Sequence, residues 1–295
     1  MRQLIAAAAA AALALAAAPA AARPIDVVAS FSVLGDIVAE IGGDRIALRT
    51  LVGPDGDAHS FEPSPADAKA VAEADLVIVN GLGLEAWMDR LVRSSGYRGP
   101  LVVASEGVRP RTMVEDGATV TDPHAWQDLA KGRIYVSNVA AALAQADPGN
   151  AAAYESNAAR LQAELADLDR YTRREIEAVP AAKRRVITTH DAFGYFGAAY
   201  GVIFQAPEGI STDAEPSAAA LARLIDQIKR EKIKALFFEN MSDPRLMQVI
   251  SRETGAALGG ALYSDALSPP DGPAPTYPAM FRNNVPKLVA AMLRN

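Results

Sequence analysis

Between residues 147 and 180 the sequence permits little other than one long helix. Asp147 and Pro148 are residue types that open helices, an oxygen cap followed by a ring whose φ is already helical, and Pro180 closes the stretch. In between, Tyr154, Leu161, Leu165, Leu168 and Ile176 hold one face at helical spacing, while Glu155, Arg160, Glu164, Arg170 and Glu177 fall elsewhere. At 1.5 Å per residue, about 30 residues make a rod of roughly 45 Å, much longer than an average globular helix. The plain expectation is a long surface helix of one domain; the sharper one, preferred here, is a stiff backbone connecting two lobes. The alanine runs between 139 and 166 are helix formers and not a low-complexity tail.

Both flanks carry the same texture. Before the helix, strands are expected at 27–29, 46–52 and 75–79, with helices at 33–41 and 65–74. After it, strands are expected at 185–188, 233–238 and 257–263, with a helix at 217–231. Strands alternating with helices argue for a parallel sheet in each half. The fold class is therefore α/β, with an N-terminal lobe at 23–146, a linking helix at 147–180 and a C-terminal lobe at 181–295. Residues 1–22 stand apart. Met1-Arg2-Gln3 is a short basic start, an alanine-rich apolar run follows, and Ala20-Ala21-Ala22 fits a small-x-small cleavage pattern, so a secretory signal peptide removed near Ala22 is expected. The apolar run is short for an uncleaved membrane span.

Composition narrows the function. A net charge of −6 with no basic cluster is a poor match to nucleic acid. Cysteine is absent, which excludes disulfides, thiolate metal ligands, a Cys nucleophile and a lipid-modified N-terminal Cys. The chain has three histidines, and their settings are alike. His59 follows the strand at 46–52 in the loop Gly53-Pro-Asp-Gly-Asp-Ala-His59. His190 ends the strand at 185–188, and His124 sits in the polar loop Thr121-Asp-Pro-His124-Ala-Trp126, just before a helix. The carboxyl-terminal rim of an open α/β sheet is where ligands bind. A lone histidine in such a loop is ordinarily a surface or capping residue, but three with none spent elsewhere suit a borderline metal such as zinc. Asp265, closing the strand at 257–263, is the natural fourth ligand.

These residues lie within longer segments that resemble the periplasmic solute-binding proteins of zinc and manganese ABC importers. The segments are Gly56-Asp-Ala-His59-Ser-Phe-Glu-Pro63, Ala74-Asp-Leu-Val-Ile-Val-Asn-Gly81 with Leu84-Glu85, Asp122-Pro-His124-Ala-Trp126, and Thr189-His190-Asp-Ala-Phe-Gly-Tyr-Phe196. Thr212-Asp-Ala-Glu-Pro-Ser217, Phe237-Phe-Glu-Asn240, and Asp265-Ala-Leu-Ser with Gly272-Pro-Ala complete the match in order along the chain. The resemblance implies two lobes that move little, with a metal buried in the cleft between them. His59 and His124 would come from the first lobe, His190 and Asp265 from the second. A histidine at the third position resembles zinc-type members, whereas manganese-type members more usually carry glutamate there. The stretch 96–122 lacks the histidine-rich loop of many zinc-type relatives, and the tail 272–284 resembles manganese- and iron-type members. The expected cargo is Zn2+, with Mn2+ or Fe2+ as the alternative. Expected partners are an inner-membrane ABC importer permease and, as donor, a periplasmic metallochaperone; the expected state is a periplasmic monomer.

Glu239, Glu62 and Asp191 invite a role as acceptors for ligand imidazoles, but a helix cap or surface ion pair is the plainer expectation for each. Trp87, Trp126, Phe193, Tyr195 and Phe196 read as core. The polar loop 105–121 leading into His124 is a candidate gate. A secreted zinc hydrolase would use the same ligand types, yet catalytic zinc usually keeps a position open for water, and no His-Glu-x-x-His helix or His-x-His pair occurs. A binder of haem or a siderophore would not need three histidines, and an adhesive protein would leave the four ligands unexplained.

Overall fold

The computed structural model describes residues 23–115, 118–212 and 216–295; the expected leader, 1–22, lies outside them. The first half runs β1 (Ile25–Phe31), α1 (Ser32–Gly42), β2 (Ile46–Val52), α2 (Pro65–Glu73), β3 (Leu76–Val79), α3 (Met88–Ser95), β4 (Leu101–Val103), β5 (Arg111–Glu115), β6 (Ala118–Asp122) and α4 (Leu129–Ala146). After α5 (Ala151–Glu177), the second half runs β7 (Arg185–Ile187), α6 (Gly194–Tyr200), β8 (Ile203–Gln205), α7 (Ala218–Glu231), β9 (Leu236–Glu239), α8 (Arg245–Thr254), β10 (Leu258–Leu262) and α9 (Tyr277–Met292).

Two four-stranded sheets result, ordered β2-β1-β3-β4 and β10-β9-β7-β8, and every pairing within them is parallel. Numbered within its own half, each sheet has the same order, second-first-third-fourth. In such a sheet the connections from the first and third strands leave in opposite directions, and a crevice opens at their carboxyl ends. β3 reads Leu-Val-Ile-Val and is buried at all four positions, as a strand covered on both faces must be.

The long helix is confirmed with a shifted start. Asp147 and Pro148 open a single 3-10 turn, Pro148–Asn150, and α5 proper spans 27 residues from Ala151, about 40 Å. The Asp147 carboxylate is engaged by Asn150 Nδ2 and Tyr154 Oη at 2.6 and 2.7 Å, which tightens the entry into that turn. Tyr154, Leu161, Leu165, Leu168 and Ile176 are buried as the periodicity requires. Along its length α5 packs on α1 and α4 of the first half and on α6 and α9 of the second. One hydrophobic core runs through both halves, from Phe31, Ile37 and Trp126 to Phe196, Phe281 and Leu288, with a satellite cluster under α7 and α8. Trp87, Trp126, Phe193, Tyr195 and Phe196 all belong to that core.

One expectation is corrected. The stretch 105–121 is no simple loop, because β5 and β6 form an antiparallel hairpin in register from Arg111 opposite Asp122 to Glu115 opposite Ala118. The hairpin sets Asp122 at the end of a strand, two residues before His124.

Candidate metal centre

Each candidate ligand is delivered by the end of a strand. His59 lies in the loop after β2, where its backbone N–H donates to Asp57 Oδ1 at 2.9 Å. His124 follows β6, His190 follows β7 by three residues, and Asp265 follows β10 by three. The structure brings all four together, with one donor atom from each lying within 4.8 Å of the others. His59 Nε2 stands 3.2 Å from His124 Nε2 and 3.2 Å from Asp265 Oδ2, and Asp265 Oδ2 is 3.5 Å from His124 Nε2 and 3.1 Å from His190 Nε2. His124, His190 and Asp265 are fully buried, and His59 retains a 9% exposure that makes it the ligand nearest solvent.

Cross-lobe hydrogen bonds hold the two pairs of residues in register. Trp126 Nε1 and Gln127 Nε2, just past His124, both donate to the carbonyl of Ser264, the residue before Asp265, at 2.8 and 2.9 Å. On the His59 loop, Asp55 N–H donates to Leu267 O, Asn240 Nδ2 donates to Asp55 Oδ1, and Thr212 Oγ1 donates to Asp57 Oδ2.

The far ring nitrogens of His124 and His190 are also engaged. His124 Nδ1 lies 2.9 Å from Asp122 Oδ1, and His190 Nδ1 lies 2.7 Å from Glu239 Oε2, a close approach somewhat off the line of a well-aligned hydrogen bond. A carboxylate on Nδ1 fixes each ring and leaves Nε2 facing the cluster. Glu239 is thus neither a cap nor a surface ion pair, as the plainer expectation had it. It is completely buried, and its Oε1 accepts the backbone N–H groups of Thr189 and His190, both at 3.0 Å. Glu62 is exposed, and Asp191 donates its backbone N–H to Gly209. Asp122 is a further partner that the sequence reading does not single out, and its place two residues before His124 is the signal that points to it.

Charges in this buried space shift one another strongly. Burial disfavours the imidazolium of His124, but the carboxylates of Asp265 and Asp122 outweigh it and push the group up to about 9. Burial likewise opposes protonation of His190, and Glu239 with Asp265 holds it well above the usual imidazole range. Burial alone would raise Asp265, yet His124 and His190 hold it well below the carboxylate range. Without an ion, protons on the imidazoles compensate the anions. Among the described residues Asp265 Oδ1 is buried with no hydrogen-bond partner, a free acceptor beside the four converging atoms. Nitrogen and oxygen donors gathered around one point, with two of the imidazoles backed by an outer carboxylate, make an arrangement that can hold a divalent cation.

Comparison with known proteins agrees with this chemistry. The family model described as "Zinc-uptake complex component A periplasmic" (ZnuA) matches residues 27–291. The chain is 31% identical over 275 residues to the manganese ABC transporter substrate-binding lipoprotein PsaA of Streptococcus pneumoniae, covering 91% of this chain and 89% of that protein. It is 32% identical over 276 residues to the manganese-binding lipoprotein MntA of Bacillus subtilis, covering 92% and 90%. Among solved structures, the periplasmic zinc binding protein TroA from Treponema pallidum superposes with a TM-score of 0.87 at 30% identity, covering 92% of this chain and 100% of that one. The Mn-bound periplasmic metal binding protein from Candidatus Liberibacter asiaticus gives 0.81 at 32% identity, covering 90% and 98%. With two parallel-sheet lobes, one long helix and a match over nearly its whole length, the chain belongs to the ZnuA family, the metal-binding substrate-binding components of ABC transporters, which are binding proteins and not enzymes.

Proposed function

We propose that this protein captures Zn2+ outside the inner membrane through His59, His124, His190 and Asp265 and passes it to an ABC importer permease. The observation that carries the reading is the convergence of three imidazole nitrogens and one carboxylate oxygen, with separations of 3.1 to 3.5 Å around Asp265 Oδ2. A tetrahedral ion with ligands at about 2.0–2.1 Å sets its donor atoms roughly 3.3 Å apart. Three nitrogens and one oxygen in a closed site suit zinc, whereas Mn2+ favours more numerous and harder oxygen donors. The leader at 1–22 and the family's periplasmic description support export to the periplasm, where the protein would act as a monomer. Transfer to the permease requires no chemistry beyond loss of the ligands.

A second reading, Mn2+ or Fe2+ as cargo, is favoured by Asp265 Oδ1. That unpartnered oxygen could join Oδ2 on a larger ion and raise its coordination number to five. Several relatives are also named for manganese. The discriminating experiment strips the protein, reloads it in equimolar competing Zn2+ and Mn2+, and counts bound metal by elemental analysis beside a His190→Ala variant. One equivalent of zinc, weakened in the variant, supports the first reading. Manganese in place of zinc supports the second, and the absence of any stoichiometric metal overturns both.

A further inference from the structure

Each sheet carries a buried glutamate at the point where its strand order reverses. In the second half that point lies between β7 and β9, and Glu239 ends β9. Its carboxylate takes two consecutive backbone N–H groups, those of Thr189 and His190, and one serine hydroxyl, Ser264 Oγ at 2.5 Å. In the first half the reversal lies between β1 and β3. There Glu85 takes two consecutive backbone N–H groups, Asn80 at 2.6 Å and Gly81 at 3.1 Å, and one serine hydroxyl, Ser30 Oγ at 2.6 Å. The two carboxylates sit in matching cradles of neutral donors.

They differ in what they reach. Glu239 meets the His190 ring directly, while Glu85 is continued by Asn80, which is itself fully buried. Asn80 Nδ2 donates to Pro123 O at 3.0 Å, its Oδ1 accepts from Tyr135 Oη at 2.6 Å, and its carbonyl accepts from Ser105 Oγ at 2.6 Å. Pro123 separates Asp122 from His124, and Asp122 Oδ1 accepts both the backbone N–H and the ring Nδ1 of His124, at 3.0 and 2.9 Å. Holding Pro123 therefore fixes the residue that orients the imidazole and the backbone that carries it.

The backbone between Asn80 and Glu85 is costly. Gly81, Leu82 and Gly83 have φ of 82°, 55° and 88°, three successive residues in the left-handed region, a conformation that is strained for the leucine. The bend returns the Glu85 carboxylate to the N–H groups four and five residues before it. Burial pushes the Glu85 carboxyl above its ordinary range against the pull of the donors around it, and an apolar side chain would fill this space without burying a polar group. Strain and a buried carboxyl group together at one strand end suggest a role beyond packing.

We propose that Glu85, acting through Asn80, is the positioning residue for His124, as Glu239 is for His190. The inference rests on the proposed role of His124 as a metal ligand, but its first readout needs no metal. In the metal-free full chain, Glu85→Gln and Asn80→Ser are expected to shift the ring 15N resonances of His124 while leaving those of His190 at their wild-type positions. In a chelator competition, the same variants should bind Zn2+ about 10- to 100-fold more weakly, and Ser30→Ala should do so by less. A residue that only packs would lower the unfolding midpoints of the metal-free and loaded proteins alike, leaving affinity and both rings untouched. That pattern in Asn80→Ser and Ser30→Ala would overturn the proposal even if Glu85→Gln failed to fold. Wild-type protein that took up no zinc would refute the metal reading, and the His124 resonances would still decide this one.

Discussion

Loading the site with Zn2+ at pH 7 should expel close to two protons per ion. The perturbation is metal binding itself, because imidazole coordinates only when its ligating nitrogen is unprotonated. With Asp265 and Asp122 holding His124 up to about 9, that ring is about 99% protonated at pH 7 in the metal-free protein. His190, held well above the usual range by Glu239 and Asp265, is protonated as well. Each displaced proton changes the apparent affinity about tenfold per pH unit, so Kd should tighten by up to about 100-fold between pH 7 and 8, and the share of that slope owed to His124 should fade above about pH 9. The sign for the metal-free fold is opposite. A folded pKa raised above the ordinary 6.5 contributes stability that is complete below about 6.5 and disappears as pH rises through about 9, up to about 3 kcal/mol for His124. Calorimetric titration at pH 7 in buffers of different ionisation enthalpy counts the protons directly, and a chelator competition at pH 7 and 8 measures the slope. Release of less than half a proton, with a flat Kd, would refute the claim that the carboxylates keep these imidazoles charged until the ion arrives.

Three further outcomes follow from particular contacts. Glu239→Gln removes the charge beside His190 Nδ1 and should weaken Zn2+ binding about 10- to 100-fold in a chelator competition, with the metal still at one equivalent. Gly194→Ala would place a methyl group 2.5 Å from Asp122 Oδ2, forcing that carboxylate to move against His124; zinc affinity should fall about tenfold, while the unfolding midpoint of the metal-free protein changes little. Burial pushes Asp36 from 3.8 up to about 7 although it accepts the Tyr277 N–H at the start of α9. Ionising it therefore costs stability progressively between those values, so Asp36→Asn should stabilise at pH 8 by up to about 4 kcal/mol and have little effect at pH 4, as urea unfolding at the two pH values would measure.

The parts of this molecule that were legible in its sequence are those governed by local pattern. The β2 strand has the bounds 46–52 that its pattern gives, and α7 begins after Ser217, whose hydroxyl caps it through Ala220 N. Strands β4 and β8 have three residues each, too few to display an alternation, whereas the hairpin does carry a mark in the sequence, the Asp116-Gly117 dipeptide between the runs 111–115 and 118–122. Helix α9 contains Pro286 in its interior, against local preference; burial of Met280, Phe281, Val285 and Leu288 against the shared core outweighs the lost N–H. The four converging residues were legible because only three histidines exist and each stands at a strand end or a loop leading into a helix. Their partners were harder to find, since adjacency in sequence is the wrong measure: Glu62 is three residues from His59 and exposed, whereas Glu239 is 49 residues from His190 and touches it. The governing quantity is strand order. In a second-first-third-fourth sheet the carboxyl ends of the first and third strands are neighbours, so an acidic residue ending the third strand faces whatever ends the first. Applied to β7 and β9, that rule selects Glu239 from the sequence once the strands are placed. Applied to β1 and β3, it points to Asn80 and to the turn that brings Glu85 back beside Ser30.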